Sequence, residues 1–187
     1  MRRISIGVVL ALILQFCYAK DASDPGAAFL SLGRYTNAFF GFSLPLPPDP
    51  AFQIAQVSTS GMLGTWHGLF GLVRDKGHTV FTIRGQAMMP DQAQRLMRAA
   101  PELLIHGKEF SRGISQEKGP VGTVSKAMYL TVVGNWLLEF NIESLDPNMA
   151  DNLEHCVEQA TFFDPDKARD IAGPNGKPYK PAPLKGP

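Results

Sequence analysis

The most regular pattern of apolar and polar residues in this chain lies on either side of Gly134-Asn135. From Trp136 to Glu143 every second residue is apolar, which is the period of a strand with one buried face. Gly and Asn both tolerate the positive φ that a two-residue hairpin turn requires. Such a turn sets a register in which both strands direct their apolar set to one face, with the opposite pairs Val133–Trp136, Thr131–Leu138, Tyr129–Phe140 and Ala127–Ile142. The same register predicts a charge pair between Lys126 and Glu143.

A capped amphipathic helix is predicted directly after this hairpin. Asp146 is a preferred N-cap, and Pro147 suits the first helical position because its missing N–H would have no partner there. One side of the helix is apolar, with Met149, Leu153, Cys156, Val157 and Ala160. The other side is polar, with Asp151, Asn152, Glu154, His155, Glu158 and Gln159. We expect the apolar side to pack on the sheet.

Strands, one helix and further strands are predicted upstream of the central hairpin. Pro90 begins a first helix that runs to about Ala100 and is stopped by Pro101. The predicted strands are one or two short ones within 34–46, broken near Asn37, a hairpin of 66–74 with 78–85 around Asp75-Lys76-Gly77, and a hairpin of 108–116 with 121–133.

This order predicts an α+β fold: an antiparallel sheet with helices packed on both faces, in a single domain over 34–163. The strand that ends in FGFSLPLP, the central helix, and the closing GNWLLEFNIES with its helix and TFF together resemble the PsbP/Mog1-like α/β/α sandwich. The resemblance extends from Arg34 to Phe163. It implies a binding or assembly module, since domains of that type are mostly non-catalytic, and it transfers no site residues.

The first 19 residues have the anatomy of a secretory signal peptide. Arg2-Arg3 is the charged start, an apolar run follows, and Cys17-Tyr18-Ala19 is a cleavage site of the small-x-small kind. The protein is therefore expected to be secreted or periplasmic, with no membrane span once the signal is removed. Two alternatives stay open: a lipoprotein acylated at Cys17, and a twin-arginine export signal at Arg2-Arg3.

The two ends of the domain differ in composition from its centre. Residues 20–33 are predicted to be a flexible lead-in, and 164–187 a disordered tail rich in Pro, Gly and Lys that could dock a partner. If Cys17 leaves with the signal, Cys156 has no cysteine to pair with and is interpreted as a small buried hydrophobe. The 18 Lys and Arg nearly balance the 17 Asp and Glu, so no electrostatic argument favours a nucleic-acid partner.

No catalytic, cofactor-binding or metal-ligating residue is assigned. The four histidines have no metal-ligand spacing. Gly41-Phe42-Ser43-Leu44-Pro45 approaches the G-x-S-x-G nucleophile elbow, but Pro45 stands where the final Gly is needed.

The leading hypothesis is therefore a secreted or periplasmic non-catalytic module that binds a protein or small ligand through its sheet face or its loops. The alternative is a secreted, hydrolase-like enzyme whose site is assembled from scattered polar residues: His67, Arg84, His106 and Glu109. That alternative requires at least two of them to converge in a pocket. A third reading is a structural envelope component that acts through the tail.

Overall fold

The computed structural model describes residues 24–57, 66–98, 102–179 and Pro181. The predicted signal peptide with its Cys17 alternative, the first part of the lead-in and the last residues of the tail lie outside these residues. Within the described ranges, no helix combines the length and the apolar character needed to cross a bilayer.

The larger of two sheets is a seven-stranded antiparallel sheet in the order β4-β5-β6-β10-β9-β8-β7. The strands are β4 (Gln53–Ile54), β5 (His67–Arg74), β6 (Thr79–Ala87), β7 (Glu102–Ile105), β8 (Lys108–Gly119), β9 (Gly122–Val133) and β10 (Trp136–Ser144). Helix α1 (Pro90–Arg98) follows β6, and helix α2 (Pro147–Glu158) follows β10. A 3₁₀ turn, Asp75–Gly77, joins β5 to β6.

The register predicted for the central hairpin is confirmed. β9 and β10 pair with Val133 opposite Trp136, and the pairing continues two by two to Ala127 opposite Ile142. Lys126 does lie opposite Glu143, but its ammonium forms its ion pair with Glu117 of β8, at 2.5 Å. The hydrogen bond to Glu117 and then the charge of Glu143 raise the pKa of Lys126, so the predicted charge pair is present. The direct contact goes to Glu117 because a long lysine side chain on a sheet reaches a diagonal neighbour as readily as the residue directly opposite.

The cap of α2 is also as predicted. The Asp146 carboxylate accepts a hydrogen bond from the backbone N–H of Asn148 at 3.0 Å, and Pro147 begins the helix. Leu153, Cys156 and Val157 are buried. Glu154 is buried as well, although the sequence pattern assigned it to the solvated side of the helix.

A second, five-stranded sheet has the order β11-β3-β2-β1-β12. Its strands are β1 (Ala28–Ser31), β2 (Arg34–Asn37), β3 (Phe42–Pro45), β11 (Thr161–Phe162) and β12 (Lys177–Tyr179). A 3₁₀ turn, Pro165–Lys167, and a short helix α3 (Ala168–Ala172) connect β11 to β12.

Both predicted flanks of the domain therefore need correction. The lead-in 20–33 contains β1, and residues 164–179 of the predicted tail contain regular elements. β12 pairs with β1, and Ala168 and Ala172 pack with Phe29. These elements are held by contacts between the two ends of the chain, and no local pattern of a Pro- and Gly-rich segment signals such contacts.

The small sheet and α2 share one face of the large sheet, which we call the inner face. The Tyr35 ring stacks on Phe70 at 4.5 Å between centroids, and Phe42 meets Phe140 at 5.6 Å. Helix α1 lies on the opposite, outer face, where Ser111 of β8 donates from its hydroxyl to the carbonyl of Met97. The large sheet is thus covered by helices on both faces, and the α+β class is confirmed.

Candidate functional site

The four residues of the enzyme alternative do not converge. His67 lies on the inner face against the Trp136 ring, at 5.2 Å between centroids, whereas Arg84 on the neighbouring strand points to the outer face. His106 and Glu109 belong to the β7–β8 hairpin, and β6, β10 and β9 separate that hairpin from β5. At about 4.8 Å per strand, β5 and β8 are about 19 Å apart.

Each histidine has a local environment of its own. His106 lies in the β7–β8 turn, with Nδ1 at 3.0 Å from the carbonyl oxygen of Ala160. His155 is exposed on α2, with Nε2 at 2.7 Å from the Gln159 amide, and His78 is exposed next to the β5–β6 turn. Within residues 24–57, 66–98 and 102–179, no group of three or more His, Cys, Asp or Glu side chains is arranged to hold a metal ion.

Arg84 takes part in a buried ion pair on the outer face. Its Nε donates to the Glu139 carboxylate at 3.0 Å, and Nη2 contacts the same oxygen. The guanidinium also lies over the Trp66 ring, 4.9 Å from its centroid. Glu139 is only 7% exposed. The pair is closed on itself, so Arg84 is bound to a protein carboxylate rather than directed at a ligand.

A denser group of ionisable side chains, the inner-face cluster, joins β8 and β9 to α2. It consists of Arg112, Tyr129, Glu154 and Glu158. Arg112 donates from Nε to Glu154 at 3.1 Å, and the Tyr129 hydroxyl donates to the same carboxylate at 2.8 Å and to Glu158 at 3.3 Å. Burial and the hydrogen bond to Glu154 raise the pKa of the Tyr129 hydroxyl. This cluster fixes β8 against α2.

Strand β8 continues well past its outer neighbour. β7 pairs with it only from Lys108 to Ser111. The remaining residues, Arg112–Gly119, pair with β9 on one side, and no strand in the described part of the chain pairs with them on the other. We call Arg112–Gly119 the open edge. Pro101 precedes β7 in the sequence and has no N–H with which to extend that ladder.

The direction of the backbone groups along the open edge follows from the two turns that flank β8. His106 and Gly107 both have positive φ, 46° and 82°, as in a two-residue hairpin turn. In such a turn the flanking residue Lys108 directs its backbone N–H and C=O groups towards β7. In the turn between Gly119 and Gly122, Gly119 likewise directs its backbone N–H and C=O groups towards β9.

Since the direction of these groups alternates along an antiparallel strand, the two turns agree on one pattern. Even-numbered residues of β8 direct their N–H and C=O groups away from β9. At the open edge these residues are Arg112, Ile114, Gln116 and Lys118.

The side chains of the open edge leave it accessible. Ile114 is 59% exposed, and the residues from Gly113 to Gly119 are all exposed. The Arg112 side chain is held in the inner-face cluster, and the Glu117–Lys126 ion pair braces β8 on β9 from the outer face. β8 and β9 pair without a register shift, and the open edge contains no proline. Of the usual devices that block an edge strand, it has only charged residues.

Sequence reasoning missed the open edge and the inner-face cluster for different reasons. The length of β7 decides where the edge begins, and that strand was not predicted. The cluster requires Arg112 and Tyr129 to be cross-strand neighbours. The β8–β9 register could have indicated that pair, but it could not show that α2 lies above it.

No protein-family model matches the chain. The curated proteins also include no match to it.

The solved structures that resemble the fold include the following three. A protein of Bacteroides thetaiotaomicron VPI-5482 gives a TM-score of 0.50 at 11% identity over 72% of this chain and 49% of its own, so the chain spans about half the length of that protein. Cyanobacterial PsbP (CyanoP) from Synechocystis sp. PCC 6803 gives 0.40 at 9% identity, over 71% and 93%. LpqN of Mycobacterium tuberculosis, involved in cell envelope biogenesis in that organism, gives 0.41 at 13%, over 64% and 82%. The three include a PsbP protein, from the family that the sequence resembles, and at these identities the likeness concerns the fold alone.

Proposed function

We propose that this protein is an exported, non-catalytic binding module that takes up an extended segment of a protein as an additional strand along the open edge. The observation that carries the proposal is the length of β8 beyond β7: Arg112–Gly119 is paired on one side only among the described residues. Strand addition obtains its affinity from main-chain hydrogen bonds and its specificity from alternate side chains.

The open edge is suited to this role because it is already an extended strand before a partner arrives. The inner-face cluster holds the start of the edge through Arg112, and the Glu117–Lys126 pair holds its middle. A strand that is already extended loses little conformational entropy on binding, so more of the hydrogen-bond energy appears as affinity. Each backbone hydrogen bond formed contributes about 0.5–1.5 kcal/mol net.

Export is the second part of the proposal, and the support for it is the signal-like sequence at the N-terminus. Mass spectrometry of the protein produced in its own host tests this part. The proposal expects a mature chain that begins at Lys20 and is secreted or periplasmic. An uncleaved chain in the cytoplasm would contradict it, and an acylated Cys17 would replace it with a lipoprotein.

A proline substitution tests the binding mode. The N–H of Gln116 points away from β9, so Gln116→Pro removes a donor from the open edge while the β8–β9 ladder keeps its hydrogen bonds. The assay is binding of the purified protein to an array of unstructured peptides. We expect bound peptides to be lost in Gln116→Pro.

The matched control is Ile54→Pro on the opposite margin of the same sheet. Ala55 donates its N–H to Gly71 of β5, so by alternation the N–H of Ile54 points away from the sheet, and Ile54 is exposed. Ile54→Pro should bind the same peptides as the wild type. If no peptide binds the wild type at a concentration at which it is monomeric, or if bound peptides survive in Gln116→Pro, the proposed binding mode is wrong.

A further inference from the structure

We propose that the open edge of one molecule pairs with the open edge of a second copy, about a twofold axis that passes Gln116, so that two seven-stranded sheets become continuous. This inference rests on the proposed function and names its partner. It is carried by the geometry of β8 and by the order of side chains along Arg112–Gly119.

Symmetry restricts how two such edges can meet. A twofold axis perpendicular to the sheet makes the strands antiparallel and keeps both inner faces on the same side. Directly opposite residues must then point to the same face, so their numbers differ by an even amount. Hydrogen-bonded pairs must also be the outward-directed residues, which are the even-numbered ones. Each possible pairing is therefore defined by the residue that lies on the axis.

Steric conflict with β7 and repulsion between like charges exclude the two registers centred on Ile114 and Ser115. With Ile114 on the axis, Glu117 of the second copy would lie opposite Ser111. That position is already taken by Glu102 of β7, which pairs with Ser111. With Ser115 on the axis, Arg112 would face Lys118, and two like charges directly opposite each other are destabilising.

The registers on the other side fail for the same reason. An axis through Glu117 would pair that carboxylate with its own copy, and an axis through Lys118 would pair two ammonium groups.

The register centred on Gln116 avoids all these conflicts. Gln116 faces its own copy, and two primary amides can donate to and accept from each other. Ile114 faces Lys118, whose hydrocarbon stem can cover the exposed isoleucine while the ammonium stays in water. Ser115 faces Glu117. The Gln116-centred pairing ends at Arg112, so β7 is not displaced.

The dimer should be weak and concentration-dependent. The outward groups of Ile114, Gln116 and Lys118 form about six hydrogen bonds across the axis. A single pair of edge strands buries less than the roughly 1,200 Å² of a stable standard-size interface.

Analytical ultracentrifugation of the purified protein over a concentration series tests the inference. We expect the weight-average mass to rise towards twice the monomer mass for the wild type and for Ile54→Pro. Gln116→Pro should remain monomeric at every concentration. A wild type that stays monomeric overturns the inference, and so does a Gln116→Pro variant that associates as the wild type does.

Cysteine cross-linking tests the register independently of the proline variant. Residues opposite each other in a hydrogen-bonded pair have Cα atoms about 5.5 Å apart, which lies within the range of a disulfide. Gln116→Cys should therefore give a disulfide-linked dimer under mild oxidation. Ser115→Cys should not, because its own copy lies at a diagonal position, about 7–8 Å away. Equal cross-linking of the two variants would contradict the axis.

The two proposals fail in different ways. A wild type that is monomeric throughout but binds peptides in a manner sensitive to Gln116→Pro retains the proposed function and loses the second copy as its partner. A protein that neither dimerises nor binds peptides loses both.

Discussion

Replacing Glu154 by alanine is the sharpest perturbation of the inner-face cluster. Glu154 is 9% exposed and accepts hydrogen bonds from Arg112 and from the hydroxyl of Tyr129. Its removal leaves the Arg112 guanidinium over the Tyr129 ring with Glu158, at 4.0 Å, as its remaining ion-pair partner. It also takes the nearer of two acceptors from the Tyr129 hydroxyl. Glu158, at 3.3 Å, keeps part of the hydrogen bonding of Tyr129.

The size of the effect follows from the burial of the partners. Removing one member of a fully buried ion pair costs about 3–5 kcal/mol. The Arg112 side chain is 32% exposed and keeps Glu158 at 4.0 Å, so water and Glu158 balance part of its charge. We therefore expect Glu154→Ala to lie near the lower end, at about 3 kcal/mol. Glu154→Gln keeps the shape and one acceptor and should cost about 1–2 kcal/mol.

Urea unfolding followed by fluorescence measures this prediction. At a typical m-value, a loss of that size lowers the midpoint by about 1–2 M urea without changing the slope. The control is Asp151→Ala, since Asp151 is exposed on the same helix, and its effect should stay within about 0.5 kcal/mol. If Glu154→Ala were no more destabilising than Asp151→Ala, the cluster would not hold α2 on the sheet.

Three further predictions concern other parts of the molecule. Gly41→Ala should cost roughly 2 kcal/mol or more in urea unfolding, because Gly41 has φ of +63° and a Cβ there would lie 2.2 Å from the backbone oxygen of Phe163. Gly33→Ala, at φ of +69° with open space around it, should cost only about 1 kcal/mol. Equal losses of stability in the two variants would contradict the close approach at Gly41. The pKa of Tyr129 is raised by burial, so its stabilising contribution is complete below the pKa of an unfolded tyrosine, about 10, and is lost as pH rises beyond it. Urea midpoints measured at increasing alkaline pH should therefore fall less steeply in Tyr129→Phe than in the wild type, and parallel curves would refute this. Burial also raises the pKa of the Cys156 thiol, so a thiol reagent should modify this residue only in denaturant, as checked by peptide mass spectrometry, and rapid labelling of the native protein would place Cys156 at the surface.

The parts of the fold that were predictable depend on contacts close in sequence. A two-residue turn at Gly134-Asn135 fixes the register of β9 on β10, because every later pair follows from the first. The start of α2 was equally local, since Asp146 caps the residue two positions ahead. The hairpin of β5 and β6 was predictable for the same reason.

The parts that were missed depend on residues far apart in the chain. β1 pairs with β12, which joins residues near the two ends of the chain. Glu154 has the polarity of a solvated helix residue, and it is buried only because Arg112 and Tyr129 lie beneath it. The open edge exists because β7 is short, and where a neighbouring strand ends is not encoded in β8 itself.

Residue-resolved amide hydrogen exchange along β8 at low protein concentration tests the open edge most directly. The N–H groups of Ile114, Gln116 and Lys118 should exchange rapidly, while those of Gly113, Ser115 and Glu117 should be protected by their hydrogen bonds to β9. At high concentration the even-numbered amides should gain protection. Uniform protection of all six amides in the dilute protein would mean that another segment already covers this side of β8, and the account of the protein as a strand-addition module would be wrong.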